Sequence, residues 1–390
     1  MHQSSTSDTT FDWENAARPA PPPVLQELAE EAGVRFNGDA PWDIHVFDER
    51  VYRMILSRGS LGFGEAYMAG LWGCARLDEL FVRLLGIDAD ERLGGWARLR
   101  IVGETLRQSL LNLQSKSGAF EVGEQHYDIG NDIFEAMLDP TMSYSCAYWA
   151  EAENLAQAQR DKLDLICRKL ELAPGERLLD IGCGWGGLAQ FAAIHYNVEV
   201  VGITVSREQR KLARERCAGL PVRIELMDYR DIDGRFDKVV SVGMFEHVGP
   251  KNYGAYFSAV NRVMEADGLF LLHTIGNYSQ VHSTDAWIDK YIFPNGHIPA
   301  ARQVAKAFEQ DFILEDWHNF GQDYDHTLMA WWKNFDAAWP KLADRYGERF
   351  YRMFKYYLHA CAGYFRSRQG QLWQLVLSKR GRRQVYRSIR

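Results

Sequence analysis

A chain of 390 residues, 46% hydrophobic and 25% charged, can bury a large core and has the length for two domains, which excludes a disordered protein. Its formal charge of −7 conceals an asymmetry, because from Arg349 to Arg390 there are eleven Lys or Arg residues and no Asp or Glu. Six cysteines without a C-x-x-C pair argue against a zinc cage or a disulfide framework and suit a reducing cytosol. No run approaches the ~18 apolar residues that span a bilayer, so membrane contact would be peripheral.

In chain order, Met1 to Pro23 is Ser/Thr-rich and then proline-rich, without the basic start and apolar core of a signal peptide, and reads as a flexible cytosolic leader. From Val24 to Leu113 the pattern predicts a small, mostly helical domain. Its helices are expected over Leu25 to Ala32, Asp48 to Leu56, Glu65 to Trp72 and Leu77 to Leu85, with an extended piece from Asp43 to Phe47 and a glycine-rich hinge from Gly59 to Gly64. Leu93 to Leu113 mixes Trp96, Ile101, Leu106 and Leu110 with Arg98, Arg100 and Arg107, the pattern of a packing helix, with interfacial lipid contact as the alternative. Residues 114–124 read as the linker to a second domain over residues 125–390.

Past the linker, short β-branched runs alternate with helical stretches. Strands are predicted at Arg177–Ile181, Val198–Thr204, Val222–Met227, Phe236–Val242 and Leu269–Thr274, with two more at Ile313–Trp317 and Leu372–Leu377. Two long helices, Leu328–Tyr346 and Glu348–Ser367, fall between the last two. Such alternation implies a parallel sheet covered on both faces.

The most informative stretch is Leu178-Leu-Asp-Ile-Gly-Cys-Gly-Trp-Gly-Gly187, an apolar strand that enters a glycine turn and then a helix. Gly182, Gly184 and Gly186 remove the side chains that keep backbone N–H groups away from a ligand, and Asp180 places a carboxylate at the strand end. Nicotinamide enzymes usually show G-x-G-x-x-G. The spacing here, glycine at every second position after an acidic residue, resembles the class I S-adenosylmethionine-dependent methyltransferases, with a Rossmann-like sheet of seven strands. The resemblance implies that the loop meets the methionine part of the cofactor and that the second strand end meets the ribose. Thr204 stands there in place of the usual carboxylate, so Thr204 and Gln209 would supply the polar contacts. Asp228 and Tyr229, at the third strand end, suit bonding to the adenine amine and stacking on the base.

Five further segments narrow the resemblance: Phe120-Glu-Val-Gly-Glu-Gln-His-Tyr-Asp-Ile-Gly-Asn-Asp132, Tyr144-Ser-Cys-Ala-Tyr-Trp149, Phe245-Glu-His-Val-Gly249, His273-Thr-Ile-Gly276 and Asn319-Phe-Gly-Gln-Asp-Tyr324. Together they resemble the bacterial two-domain cyclopropane-fatty-acyl-phospholipid synthases, and Gly59-Ser-Leu-Gly-Phe-Gly-Glu-Ala-Tyr-Met68 extends the likeness into the N-terminal domain. In that chemistry the π bond of a cis-unsaturated acyl chain attacks the methyl carbon of S-adenosylmethionine, and loss of a proton from the transferred carbon closes a cyclopropane ring.

The resemblance implies that a bound bicarbonate ion is the base, held by Cys146, Glu246, His273, Ile275 and Tyr324. It assigns Tyr144 and Ser145 to the cofactor and His126 and Tyr127 to a flap. Cys361 matches another family cysteine, although the reaction needs no covalent adduct and the residue falls on a predicted helix face that would bury it. Each residue also has a plainer reading, His273 as a satisfied core histidine and Cys146 as a small buried hydrophobe. The family further implies a homodimer, and a phospholipid substrate would require a cytoplasmic enzyme to dock peripherally on the membrane.

Three rivals remain at this point: a methyl-branching or exomethylene-forming enzyme on the same alkene, a non-catalytic cofactor-binding scaffold, and a nucleic-acid methyltransferase. The last lacks an Asn/Asp-Pro-Pro-Tyr/Phe motif and any RNA-binding module, so no nucleic-acid partner is expected. The basic stretch from Arg349 to Arg390 reads either as a solvated tail or as attraction to an anionic surface, where with the N-terminal helices it would dock the enzyme on phospholipid.

Overall fold

The structure, a computed structural model, describes residues 20–87, 130–280 and 284–390. Most of the leader, the helix expected over 93–113, the linker 114–124, and His126 and Tyr127 lie outside those residues. The N-terminal part starts with α1 (Pro23–Glu31), whose first position takes a proline because the N–H there has no partner inside the helix. A short ribbon pairs β1 (His45–Val46) antiparallel with β2 (Trp72–Gly73). Between them lies α2 (Arg50–Met68), and α3 (Leu77–Leu85) follows.

Two expectations here are corrected. The hinge is a single residue, Gly59 at φ 55° and ψ −133°, and the helix resumes at once and continues through Gly64 to Met68. The helix expected to reach Trp72 ends four residues earlier. Trp72 gains more as a strand residue: its ring stacks on Phe63 at 4.2 Å and its indole N–H donates to the Phe63 carbonyl at 2.9 Å.

The larger part contains α4 (Asn131–Met137) and α5 (Leu155–Lys169), then β3 (Arg177–Ile181), α6 (Gly187–Tyr196), β4 (Glu199–Thr204), α7 (Arg207–Arg216) and β5 (Val222–Leu226). It continues with β6 (Phe236–Val242), α8 (Tyr253–Val263), β7 (Met264–Asn277), α9 (Ala286–Tyr291) and α10 (Ala301–Phe308). β8 (Phe312–Asn319), α11 (Gln322–Arg366) and β9 (Gly370–Lys379) complete it. The seven-stranded sheet runs β5-β4-β3-β6-β7-β9-β8, parallel from β5 through β7, with β9 antiparallel to both neighbours. Strand order reverses at β3, so a crevice opens at its C-terminal end. β7 starts five residues before its predicted start because Met264 pairs with Phe236 across a register shift. The break between the two long helices is Gly347 at φ 74° inside α11.

One core cluster lies on each face of the sheet. A third, rich in aromatic rings, joins Trp72 and Leu80 of the N-terminal part to Trp287 and to Tyr356 and Leu358 of α11. Burial of each such large side chain contributes about 1.5–3 kcal/mol. Arg366 ties the same parts together, meeting Asp78 at 2.7 Å, Glu79 at 2.6 Å and Asp325 at 2.8 Å.

Much of the basic C-terminal stretch is spent inside the molecule. Arg352 donates to the Trp72 carbonyl at 2.8 Å, Arg382 pairs with Glu171 at 2.6 Å, and Arg390 pairs with Asp316 at 2.6 Å. Among the described residues, Arg349, Arg368, Arg383 and Arg387 are the exposed arginines of this stretch without a side-chain polar partner. No described helix is long and apolar enough to cross a membrane.

Candidate active site

At the end of β3 the chain turns sharply as the Gly182 and Cys183 amides both donate to the Ile203 carbonyl, at 2.9 and 3.0 Å. Gly182 sits at φ 81°, and a Cβ there would come within 2.7 Å of the Met244 Cβ, so both backbone geometry and space demand glycine. Gly182 and Gly184 line a cleft of about 1400 Å³, counted to its open mouth. Gly186 is not among the lining residues. It caps α6 at φ 81°, and a Cβ there would stand 3.1 Å from Cys217 Sγ and 3.2 Å from Ala213 Cβ, so its service is to seat α6 on α7.

The other residues expected at the cofactor, Tyr144, Ser145, Asp180, Thr204, Gln209, Asp228 and Tyr229, all line this cleft. Asp180 is buried, its Oδ2 has no hydrogen-bond partner, and burial pushes its pKa up to about 7 against the pull of Lys162. Thr204 Oγ1 donates to Gln209 Oε1 at 2.8 Å, which leaves the Gln209 amide as a donor. Ser206 holds that pair by capping α7 through the Gln209 N–H at 3.2 Å.

Asp228 is less bare than the sequence suggests, since it accepts the Arg230 guanidinium at 2.9 Å. The same Arg230 lies 4.6 Å from the centre of the Tyr229 ring, so that ring already has a cation on one side. His247 also lines the cleft, its imidazole kept neutral because burial lowers its pKa to about 4.

A second group of polar side chains gathers where β7 outruns β6. The last pair between these strands is Val242 with His273, so the Ile275 amide beyond it has no strand partner on that side. Glu246, on the short turn Phe245–His247 after β6, accepts that amide through Oε1 at 2.6 Å. Its Oε2 is buried without a partner, and burial raises the carboxyl pKa to about 6 although the Ile275 bond opposes the shift.

His273 lies opposite Gln374 of β9, whose amide nitrogen is 3.2 Å from Nδ1. With Gln374 donating to Nδ1, the imidazole proton resides on Nε2, which is buried and unpartnered. Burial, with Lys162 and Lys169 nearby, holds this histidine neutral.

Cys146, Ile275 and Tyr324 pack together around Phe320 and Leu372 in one small cluster, and the Phe320 ring is 6.0 Å from that of His273. The Cys146 thiol and the Tyr324 hydroxyl are both raised far above their usual range by burial, so both keep their protons. The five residues expected to hold an anion are thus gathered at one sheet edge.

Cys361 is apart from that cluster, half-buried on α11 within electrostatic reach of Tyr324 and Tyr357. Burial pushes its thiol up to about 12, which disfavours the thiolate.

Residues 114–375 match the family model described as mycolic acid cyclopropane synthetase. The chain belongs to the mycolic acid cyclopropane synthetase family. It is 56% identical over 358 residues, 91% of this chain and 93% of the other, to the cyclopropane-fatty-acyl-phospholipid synthase of Escherichia coli strain K12. It is 41% identical over 267 residues, 65% of this chain and 68% of the other, to a probable fatty acid methyltransferase of Pseudomonas putida. Among solved structures, the cyclopropane synthase MmaA2 of Mycobacterium tuberculosis gives a TM-score of 0.63 at 32% identity, covering 67% of this chain and 98% of that one. Mycolic acid cyclopropane synthase CmaA1 complexed with SAH and CTAB gives 0.63 at 33%, with the same coverage. This member of the synthetase family therefore has the class I methyltransferase fold, and its likeness to the E. coli relative extends into the N-terminal helices.

Three residues of this family member that sequence reasoning missed are Lys162, His247 and Gln374. Lys162 had a readable signal: it falls on the stripe Ala158, Gln159, Lys162, Leu163, Ile166 that α5 buries.

Proposed function

We propose that the chain transfers a methylene group from S-adenosylmethionine to the cis double bond of an unsaturated acyl chain of a membrane phospholipid, forming a cyclopropane ring, with bound bicarbonate as proton acceptor. One observation carries the choice among methyltransferase chemistries. Glu246 Oε2 and His273 Nε2, an acceptor and a donor, are both buried and unpartnered at the sheet edge, beside the cluster of Cys146, Ile275 and Tyr324. Buried polar atoms of this kind are costly unless a ligand pairs them.

The cofactor supplies an electrophilic methyl group on a sulfonium. Toward it the chain offers the Gly182–Gly184 turn, the Thr204–Gln209 pair and the acidic Asp180. Bicarbonate would supply a base that accepts the proton lost as the ring closes, with S-adenosylhomocysteine as the other product. His273 Nε2–H and the Tyr324 hydroxyl are the donors that would hold the anion. Glu246 Oε2 would accept its hydroxyl proton, which keeps two negative groups from facing each other directly. The protonated Cys146 and the Ile275 side chain complete the wall.

Tyr144 brings an aromatic ring to the cleft. It shares a 2.8 Å hydrogen bond with the Tyr357 hydroxyl, and stands 5.1 Å from the rings of both Phe134 and Trp331. Aromatic faces of this kind ease a developing positive charge by about 0.5–2 kcal/mol each when close. They also keep out water that would quench it.

In the same reading, residues 24–113 form the lipid-access and dimerisation domain and residues 125–390 the catalytic domain, of a cytoplasmic homodimer peripherally bound to an anionic membrane. Exposed Val24, Phe47 and Leu56, with Arg349, Arg368, Arg383 and Arg387, are the groups suited to that surface. The test is release of S-adenosylhomocysteine in carbonate-free buffer with vesicles of monounsaturated or saturated phospholipid. Release that requires both the double bond and added bicarbonate supports the reading. Release from saturated vesicles contradicts the substrate, and release without bicarbonate contradicts the base.

A further inference from the structure

Lys162 is buried to 1% exposure on α5, yet it lines the cleft. Its ammonium donates to Ser145 Oγ at 2.9 Å, and among the described residues it has no carboxylate partner within 4 Å. A lysine ammonium carries donors and no acceptor, so in this bond the Ser145 oxygen must accept. The Ser145 hydroxyl proton is then left to give, and no described residue takes it. Ser145 cannot readily turn away. The Gln159 side-chain amide donates to the carbonyls of both Ser145, at 2.9 Å, and Ser143, at 3.3 Å, clamping the backbone of that segment to α5.

The electrostatics favour the same ligand chemistry. A buried cation with no ion-pair partner is expensive, and an anion seated in the cleft would offset that cost. Burial lowers the Lys162 pKa to about 8, while Asp139, Cys146 and Asp180 draw it back up. Asp180, lining the same cleft, has an unpartnered Oδ2. A cation-backed donor and a carboxylate facing one cleft match the two ends of an α-amino acid.

We propose that Lys162 is a positioning residue of the cofactor site, fixing Ser145 as a hydrogen-bond donor so that the two together recognise the α-carboxylate of the S-adenosyl ligand. This rests on the reading of the cleft as the S-adenosylmethionine site.

The test compares calorimetric affinities for S-adenosylmethionine and for its decarboxylated analogue, which lacks only the carboxylate, in the full-length protein and in Lys162→Met and Ser145→Ala. Hydrogen bonds to charged groups predict that Lys162→Met weakens S-adenosylmethionine binding about 10-fold or more and changes binding of the analogue less than about 2-fold. Ser145→Ala lowers the same ratio. Equal weakening of both ligands, or no weakening, in a variant that melts cooperatively overturns the proposal and makes Lys162 structural. If Lys162→Met does not fold, the ratio in Ser145→Ala decides. Wild-type protein that binds neither ligand would instead overturn the assignment of the cleft, a result distinct from either of these.

Discussion

The Glu246 carboxylate takes the Ile275 amide at 2.6 Å, tying the turn after β6 to the overhanging end of β7. This bond fixes which oxygen is anchored and which is left unpartnered. Glu246→Gln keeps the size but removes the charge and confuses acceptor with donor at the unpartnered position. Turnover is expected to fall about 100-fold or more, as when one preorganised group of a charge-stabilising site is lost. Affinity for S-adenosylhomocysteine, measured by calorimetry, should change little because Glu246 does not line the cofactor cleft.

Glu246 also gives a pH-dependent stability. In the folded chain its carboxyl holds a proton up to about pH 6, against an ordinary value of 4.5, because it is buried. Between those values the folded state binds more protons than the unfolded one, so this group's contribution falls as pH rises from about 4.5 to about 6. Above that it stays at its lower level, a penalty on the order of 2 kcal/mol. Denaturant titrations of wild type and Glu246→Gln at pH 5 and pH 7.5 measure it. The variant should gain on the wild type at the higher pH, and a difference independent of pH would contradict the burial argument.

Gln374 is expected to act through His273. Without the amide donor at Nδ1, the imidazole proton is free to move to that nitrogen and Nε2 ceases to be a donor. Partners that orient a ligating histidine typically matter about 10- to 100-fold. Gln374→Leu should raise the bicarbonate concentration needed for half-maximal rate by about 10-fold while leaving cofactor affinity unchanged. An unchanged bicarbonate dependence would remove Gln374 from the site.

How much of this was legible in the sequence follows the range of the signal. β3 and β6 match their predicted bounds, and Gly347 marks the break between the long helices, because strand patterning and glycine are local signals. Trp72 was misread as helical because its stacking partner, Phe63, comes from the preceding helix and the ribbon forms only in three dimensions. The glycine turn announced a cofactor, but Gly186 could not be told from its neighbours without seeing α7 against it. Lys162 and Gln374 went unassigned for the same reason. Lys162 is marked in the sequence only as a polar residue on the stripe that α5 buries, and its partner Ser145, like the His273 partner of Gln374, shows only when the chain packs. The grouping of Cys146, Glu246, His273, Ile275 and Tyr324, scattered over 179 positions of sequence from first to last, was readable only through family resemblance.

The C-terminal arginines divide into two groups with opposite expected phenotypes. Arg366→Met leaves Asp325 without its cation while Arg76 still holds Asp78 and Glu79, and losing these charged hydrogen bonds should cost about 1.5–3 kcal/mol in denaturant titrations. Arg383→Glu with Arg387→Glu should leave stability nearly unchanged, since neither side chain has a polar partner among the described residues. The same pair should weaken binding to anionic vesicles by about 1 kcal/mol for each basic charge removed, and the difference should fade as salt is raised. Vesicle binding insensitive to both salt and these substitutions would place docking elsewhere.

The central claim is tested most directly by the mass of the acyl chains after the protein has acted on monounsaturated phospholipid vesicles with methyl-deuterated S-adenosylmethionine. The account predicts a product that retains two deuterons and resists mild hydrogenation, formed only when bicarbonate is present. A product that retains three deuterons, or lipid of unchanged mass, would contradict it.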